Sequence, residues 1–328
     1  MRIVVLTLAM ASQVACSPAG SPGRGEHIVT WPAVVFASDM MQAVSAVDES
    51  GIYAMLSTGE IAHVPLSGGA PEIVANAAPT LVSSPLVLTA DEIIWADWGP
   101  GVDTGAIKAV PKRGGSIRVI AASQPEPNGL TRDATSLYWS ISESPSPDKF
   151  NAIRSVPISG GTVSTLMSSN ERGLYAFAVG GNHLYFARQS TNEAPLRPGL
   201  SMAAKDGSNV TLLSAEPVRC CMLSRLNEIL YLNVHPARVR RFDVSSGIST
   251  TLRSLPNEGI WMAADERGVF VLETGCSNPP EGGGDCWGRI VDLATGQMLA
   301  SAELARGVGL DDRYVYWLIV RDLYRVAR

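Results

Sequence analysis

Apolar trios built around a large residue recur along this chain, and their middle residues are Tyr53, Ile94, Tyr138, Tyr185, Tyr231, Phe270 and Tyr316. Successive middles lie 41, 44, 47, 46, 39 and 46 residues apart. Trios such as Leu184-Tyr185-Phe186 and Val315-Tyr316-Trp317 are apolar at consecutive positions, which marks a strand covered on both faces. Polar turns such as Asp48-Glu49-Ser50-Gly51 and Ala264-Asp265-Glu266-Arg267-Gly268 precede the trios. A second strand-like run follows each: Ile61 to Gly69, Ile107 to Gly115 and Ile153 to Gly161, with looser copies at Leu200 to Gly207, Val239 to Gly247 and Ile290 to Gly296. The terminal glycines of these runs supply the positive φ angles that tight hairpin loops demand. Pro65, Pro111 and Pro157 fall where strands end and a missing N–H costs least.

A period of about 40 to 50 residues made only of short strands is the signature of a β-propeller, in which each repeat is a sheet that cannot bury its faces alone. The expected fold is all-β: seven blades, each a four-stranded antiparallel sheet. The last repeat, Leu323 to Arg328, stops before its glycine turn, while residues 26–36 resemble Pro71-Glu72-Ile73-Val74-Ala75, the outer strand of the first blade. The N-terminal strand is therefore expected to pair in the last blade and close the ring, since an unfinished ring leaves unpaired strand edges. The expected division is 1–15 signal peptide, 16–25 tether rich in Pro, Gly and Ser, and 26–328 a single propeller domain.

Composition supports one large core, with 46% hydrophobic and 17% charged residues. The net charge is -5 and no basic stripe is present, which argues against a nucleic-acid partner. Met1-Arg2 followed by the apolar run Ile3 to Ala11, too short to span a bilayer, reads as an export signal. Removing residues 1–15 takes away Arg2 alone, so 25 positive against 31 negative residues leave -6.

Four long connections between second and third strands, Asp97 to Gly105, Ser142 to Asn151, Arg188 to Gly199 and Glu273 to Gly288, should share one rim of the ring. Function concentrates in loops carried by a rigid scaffold. The candidate binding residues on that rim are Asp97, Trp98, Asp103, Arg188, Arg197, His235 and Trp287, with Trp98, Trp261 and Trp287 as indoles that stack on a ligand or pack between blades. Cys276 and Cys286, ten apart in a glycine-rich insertion, are expected to form a disulfide in an oxidising compartment. Cys220-Cys221 reads either as a vicinal disulfide or as two small buried hydrophobes on opposite sides of a strand. His27, His63, His183 and His235 show no ligand spacing, so neither a metal, a cofactor nor a catalytic constellation is expected from sequence.

Three resemblances add to this reading. Gln13-Val14-Ala15-Cys16 resembles the bacterial lipoprotein box, which implies lipid attachment at Cys16; Gln13 departs from its usual aliphatic residue, and ordinary cleavage after Ala9-Met10-Ala11 is the competing reading. Ile94-Trp95-Ala96-Asp97-Trp98-Gly99 resembles the YWTD repeat of the low-density-lipoprotein-receptor propellers, with Leu137-Tyr138-Trp139-Ser140 a weaker copy; those propellers have six blades. The whole layout, leader, tether and repeated VP(L/I)SGG turns, resembles exported propeller lipoproteins of myxobacteria, which implies fold and location but no activity. The expectation is a monomeric, exported, lipid-anchored module at the outer membrane or cell surface, or else periplasmic or secreted, that binds a protein or glycan and touches the membrane only through its anchor. An exported enzyme resembling streptogramin lyases or sugar-lactone hydrolases, with its site over the channel, is the alternative. A structural component of the envelope is a third.

Overall fold

The computed structural model describes residues 23–33, 45–77, 86–101, 103–141, 152–168, 174–188, 199–215, 218–226, 229–234, 238–254, 259–265, 267–276, 286–302, 305–319 and 321–328. Only strands form regular structure there. The first, β1 (Glu26–Thr30), precedes blade 1, which comprises β2 (Ser45–Asp48), β3 (Gly51–Met55), β4 (Glu60–Val64) and β5 (Glu72–Asn76). Blade 2 holds β6 (Val87–Leu88), β7 (Glu92–Asp97), β8 (Gly105–Pro111) and β9 (Arg118–Gln124). Blade 3 holds β10 (Asn128–Arg132), β11 (Ser136–Ile141), β12 (Ala152–Pro157) and β13 (Ser164–Ser168). In blade 4 come β14 (Leu174–Gly180), β15 (His183–Arg188), β16 (Gly199–Ala204) and β17 (Thr211–Ser214). Blade 5 contains β18 (Val218–Leu226), β19 (Ile229–Val234), β20 (Arg238–Asp243) and β21 (Ser249–Ser254). Blade 6 contains β22 (Gly259–Asp265), β23 (Gly268–Cys276), β24 (Cys286–Asp292) and β25 (Met298–Ser301), and β26 (Arg306–Leu310), β27 (Tyr314–Ile319) and β28 (Asp322–Ala327) belong to the last sheet.

Among the described residues these strands pair into seven four-stranded antiparallel sheets. Six run in chain order; the last is ordered β1-β28-β27-β26, so the N-terminal strand is its outer edge. The strand order gives seven sheets, where the YWTD propellers that the sequence resembles have six blades. The first strand of every sheet also touches the first strand of the next, and β26 touches β2, which makes the arrangement a ring.

The core sits between sheets, not within them. One apolar layer joins Tyr53 and Ile61 of blade 1 to Ile93 and Val110 of blade 2. Equivalent layers follow between each successive pair, and Tyr316, Leu318 and Leu323 meet Ile52, Ala54 and Val64 to join the last sheet to the first. Trp31, Trp95, Trp139 and Trp317 are fully buried in these layers. Burying a large apolar side chain stabilises by about 1.5–3 kcal/mol, which is why the trios are apolar on both sides.

Local chemistry sets the strand ends. Gly68 and Gly69 take φ of 81° and 133°, Gly160 and Gly161 take 92° and 132°, and Gly160 N donates to Pro157 O at 2.8 Å, which closes the outer hairpin where the strand-ending proline has no N–H to lose. Register slips once between third and fourth strands in blade after blade, for example between Ile61 and Ala62. Such a bulge increases twist and turns the outer edge away from its neighbours.

The insertion in blade 6 is shorter than its sequence suggests. Glu273 and Trp287 lie inside β23 and β24, whose pairing continues to Cys276 opposite Cys286, so the connection comprises residues 277–285.

Candidate functional site

The ring has two unlike faces. On one lie the turns between first and second strands. Asp48, Asp133, Asp265 and Asp311 each occupy such a turn five residues before the middle of a trio, and each accepts the backbone N–H two residues on: from Ser50 at 2.9 Å, Thr135 at 2.8 Å, Arg267 at 2.9 Å and Arg313 at 2.7 Å. Asx turns of this kind tie a loop to its own backbone. The second carboxylate oxygen then takes a cation from the neighbouring blade: Lys112 reaches Asp48, Lys205 reaches Asp133 at 2.6 Å, and Arg328 reaches Asp265. Tyr138 also donates to Asp133 at 2.9 Å, and Tyr316 to Asp311 at 2.6 Å.

These bonds shift the acids. Burial alone would raise Asp133, but Lys205, the N–H groups of Thr135 and Ser136 and the Tyr138 hydroxyl outweigh it and hold the carboxyl well below its ordinary range. Burial, reinforced by the bond to Asp133, pushes the Tyr138 phenol up to about 12. Asp48 and Asp265 fall in the same way, against burial, because Lys112 and Arg328 bond to them. This face is an interblade clasp in which Asp48, Asp133 and Asp265 each commit both carboxylate oxygens. It also carries an open depression of about 860 Å³, lined by Asp91, Glu92, Arg113, Arg132, Ala134 and Ile158 among others.

The opposite rim carries the connections between second and third strands and those that cross from one blade to the next. Here the candidate residues separate. Asp97 is buried, ion-paired to Lys108 at 2.6 Å, and accepts Gly99 N at 3.1 Å. Trp98 is half-buried and its Nε1 donates to Pro127 O at 3.0 Å, so its ring is a strut between blades 2 and 3. Asp103 is exposed, with φ of 62°. Trp261 packs against the layer between blade 6 and the last sheet. Arg188 ends β15, and nothing further is described of its side chain. Cys16, Arg197 and His235 lie outside the described residues, as does the insertion 142–151. Cys276 and Cys286 are register partners, and Cys220-Cys221 fall where β18 slips register between Val218 and Leu223.

Trp287 keeps company that its sequence neighbours do not announce. The Arg289 guanidinium lies 5.3 Å from its ring centroid, and Arg289 Nε donates to Glu273 Oε2 at 2.5 Å. Arg253, from the outer strand of blade 5, donates to Glu273 Oε1 at 2.5 Å. Glu273 itself is only 1% exposed, while both arginine side chains remain about a third open to solvent, at 28% and 35%. One buried carboxylate thus fixes two guanidinium groups, and one of these stacks on an indole. The spacing could have revealed Glu273, which stands three residues after Phe270 as Asp97 stands three after Ile94.

A second rim feature lies where β9 hands over to β10. Ser123 and Glu126 both adopt left-handed backbone, with φ of 56° and 40°, and buried prolines 125 and 127 flank Glu126. Gln124 is pinned by Trp139 Nε1 at 3.2 Å and Arg154 Nη1 at 2.9 Å, both donating to its Oε1. Gly105 leaves no room above this connection: a Cβ there would lie 2.7 Å from Pro127 Cδ and 2.8 Å from Trp98 O. Glu126 Oε2 is buried with no hydrogen-bond partner, and burial pushes the carboxyl up. Among the described residues no cluster of three or more His, Cys, Asp or Glu has the geometry to hold a metal.

No family model and no curated protein matches the sequence. Solved structures do resemble the fold. A nidogen propeller in the crystal structure of the Nidogen/Laminin Complex aligns with a TM-score of 0.53 at 14% identity, over 76% of this chain and 91% of that one. The computationally designed Ika8 protein aligns with a TM-score of 0.53 at 12% identity, over 92% of this chain and all of the other. Identities this low establish the shared propeller fold alone.

Proposed function

We propose that this chain is an exported binding module, tethered through Cys16, that holds a protein or glycan partner on the rim carrying its long connections. The observation that supports the reading is the group formed by Trp287, Arg289, Arg253 and Glu273. Tryptophan and arginine dominate binding energy at interfaces when they are held rigid, and Glu273 holds both arginines in place before any partner arrives. Trp98 and Asp97, by contrast, spend their polar groups inside the protein. The rim reading therefore centres on the junction of blades 5 and 6.

A second reading, an assembly contact on the face of the turns, draws on the open depression beside Arg113 and Arg132. One experiment separates the two. A photoreactive phenylalanine analogue is placed at Trp287 on the rim, or at Ala134 on the other face, and cross-linked in the native envelope. The rim reading expects an adduct from position 287 and none from 134; an adduct from 134 alone, or from neither, overturns it. Tethering has its own test. Mass spectrometry of the mature N-terminus is expected to find Cys16 bearing a diacylglyceryl group, and an unmodified N-terminus at Ser12 removes the anchor.

A further inference from the structure

Backbone strain at a glutamate needs a cause. A non-glycine residue at positive φ is strained and persists where the surroundings over-determine it. Glu126 is the more unusual because it precedes Pro127, and a residue before proline favours extended backbone. The clamp is visible: Trp98 holds Pro127, Arg154 and Trp139 hold Gln124, and Gly105 admits the connection against β8. What the clamp achieves is to present a carboxyl whose Oε2 is shut from water and bonded to nothing.

That arrangement costs stability twice, in strain and in desolvation. Arg154, the cation that bonds Gln124 two residues away, leaves Oε2 of Glu126 without a partner. The connection runs from β9, the outermost strand of blade 2, to β10, the innermost strand of blade 3, so Glu126 lies on the rim face where the two blades meet. We propose that Glu126 is a recognition site for an organic cation, an ammonium or guanidinium group, that completes the hydrogen bonding of its carboxylate when a ligand docks on the rim at the junction of blades 2 and 3. A cation is favoured over a neutral donor because it restores the charged form that burial opposes. This site stands on Glu126 and is independent of Trp287, so either can fail without the other.

The test uses the whole mature chain and carbon-13 NMR of the Glu126 carboxyl. Probes are spermidine as a free polyamine, acetyl-Gly-Lys-Gly-amide as a protein-borne ammonium, and n-butanol as the neutral control. In the free protein the carboxyl is expected to titrate above an ordinary glutamate, and to move back down when either cationic probe saturates it. Whichever cation binds more tightly identifies the source. Glu126→Gln is expected to weaken cation binding roughly tenfold to a hundredfold, the loss of one charge-assisted bond, while melting at an unchanged or higher temperature. An ordinary titration in the free protein, equal response to butanol, or undiminished cation binding by Glu126→Gln overturns the proposal. Glu126→Gly, which relieves the positive φ, serves as a second variant with the same expected loss of binding.

Discussion

Asp133 and Glu126 sit on opposite faces of the ring, and their surroundings could hardly differ more. Asp133 accepts bonds from Lys205, Tyr138 and the N–H groups of Thr135 and Ser136. Glu126 occupies a strained position with Oε2 accepting nothing. Satisfied acids repeated from blade to blade are what a closed ring needs to lock its sheets in register. An acid left without a hydrogen-bond partner at one blade junction is a cost that a cationic ligand would offset. Glu273 falls between these cases: it is satisfied by two arginines, yet it spends that satisfaction on holding them at the surface. The comparison teaches that charge alone does not mark a site; commitment of its hydrogen-bonding capacity does.

The sharpest way to break this contrast is at Gly105. Its side-chain position is occupied by the strained connection itself, so Gly105→Ala is expected to destabilise by about 2–4 kcal/mol, as overpacking against backbone does. Chemical denaturation measures it. A loss below about 0.5 kcal/mol would mean that the connection relaxes easily and Glu126 is not held in place.

The acid limb of the stability curve sharpens the other side. Asp48, Asp133 and Asp265 all titrate lower in the folded chain than an ordinary aspartate. The unfolded state therefore binds more protons below about pH 4, and stability rises with pH in that window. Their contribution is fully present above the unfolded pKa and disappears as pH falls through the folded values. Asp133→Asn should flatten this limb and cost on the order of 1–3 kcal/mol at neutral pH; a limb of unchanged slope would disconnect the clasp from stability.

The smallest effect is expected at the ring's seam. Arg325 binds Glu26 through two nitrogens, at 2.8 and 3.0 Å, but Glu26 remains 58% exposed. Glu26→Ala should cost no more than about 1 kcal/mol, since the seam is held by β1 pairing with β28 and by Trp31, which is 0% exposed. A larger loss in thermal melting would move the closure from packing to charge.

Much of this was legible in the residues. Strand-type trios, glycine turns and the unfinished last repeat announce antiparallel blades and an N-terminal strand that returns to the C-terminal sheet, because each follows from a local rule of backbone geometry or edge pairing. The clasp left a trace that pattern reading passes over, an aspartate five residues before Tyr53, Tyr138, Phe270 and Tyr316. Its partners Lys112, Lys205 and Arg328 could not be read, since the contact joins different blades. The candidate rim was legible only as a face. Asp97 is a rim candidate by sequence, and the fold buries it against Lys108; Trp98 reads either as a stacking indole or as packing between blades, and its Nε1 bonds Pro127 O beside blade 3. Nothing in the sequence around Glu126 beyond its two flanking prolines marks it; its left-handed backbone is held by contacts with Trp98, Gly105 and Arg154 from elsewhere in the fold.

Comparing the melting temperatures of Glu126→Gln and Asp133→Asn at pH 7 tests the central claim most directly. The account predicts that Asp133→Asn lowers melting by a few degrees, at about 2–4 °C per kcal/mol for a chain of this size, while Glu126→Gln leaves it unchanged or raises it. If Glu126→Gln proves the more destabilising of the two, Glu126 is a structural acid like its counterparts on the other face, and the rim holds no carboxyl in reserve for a ligand.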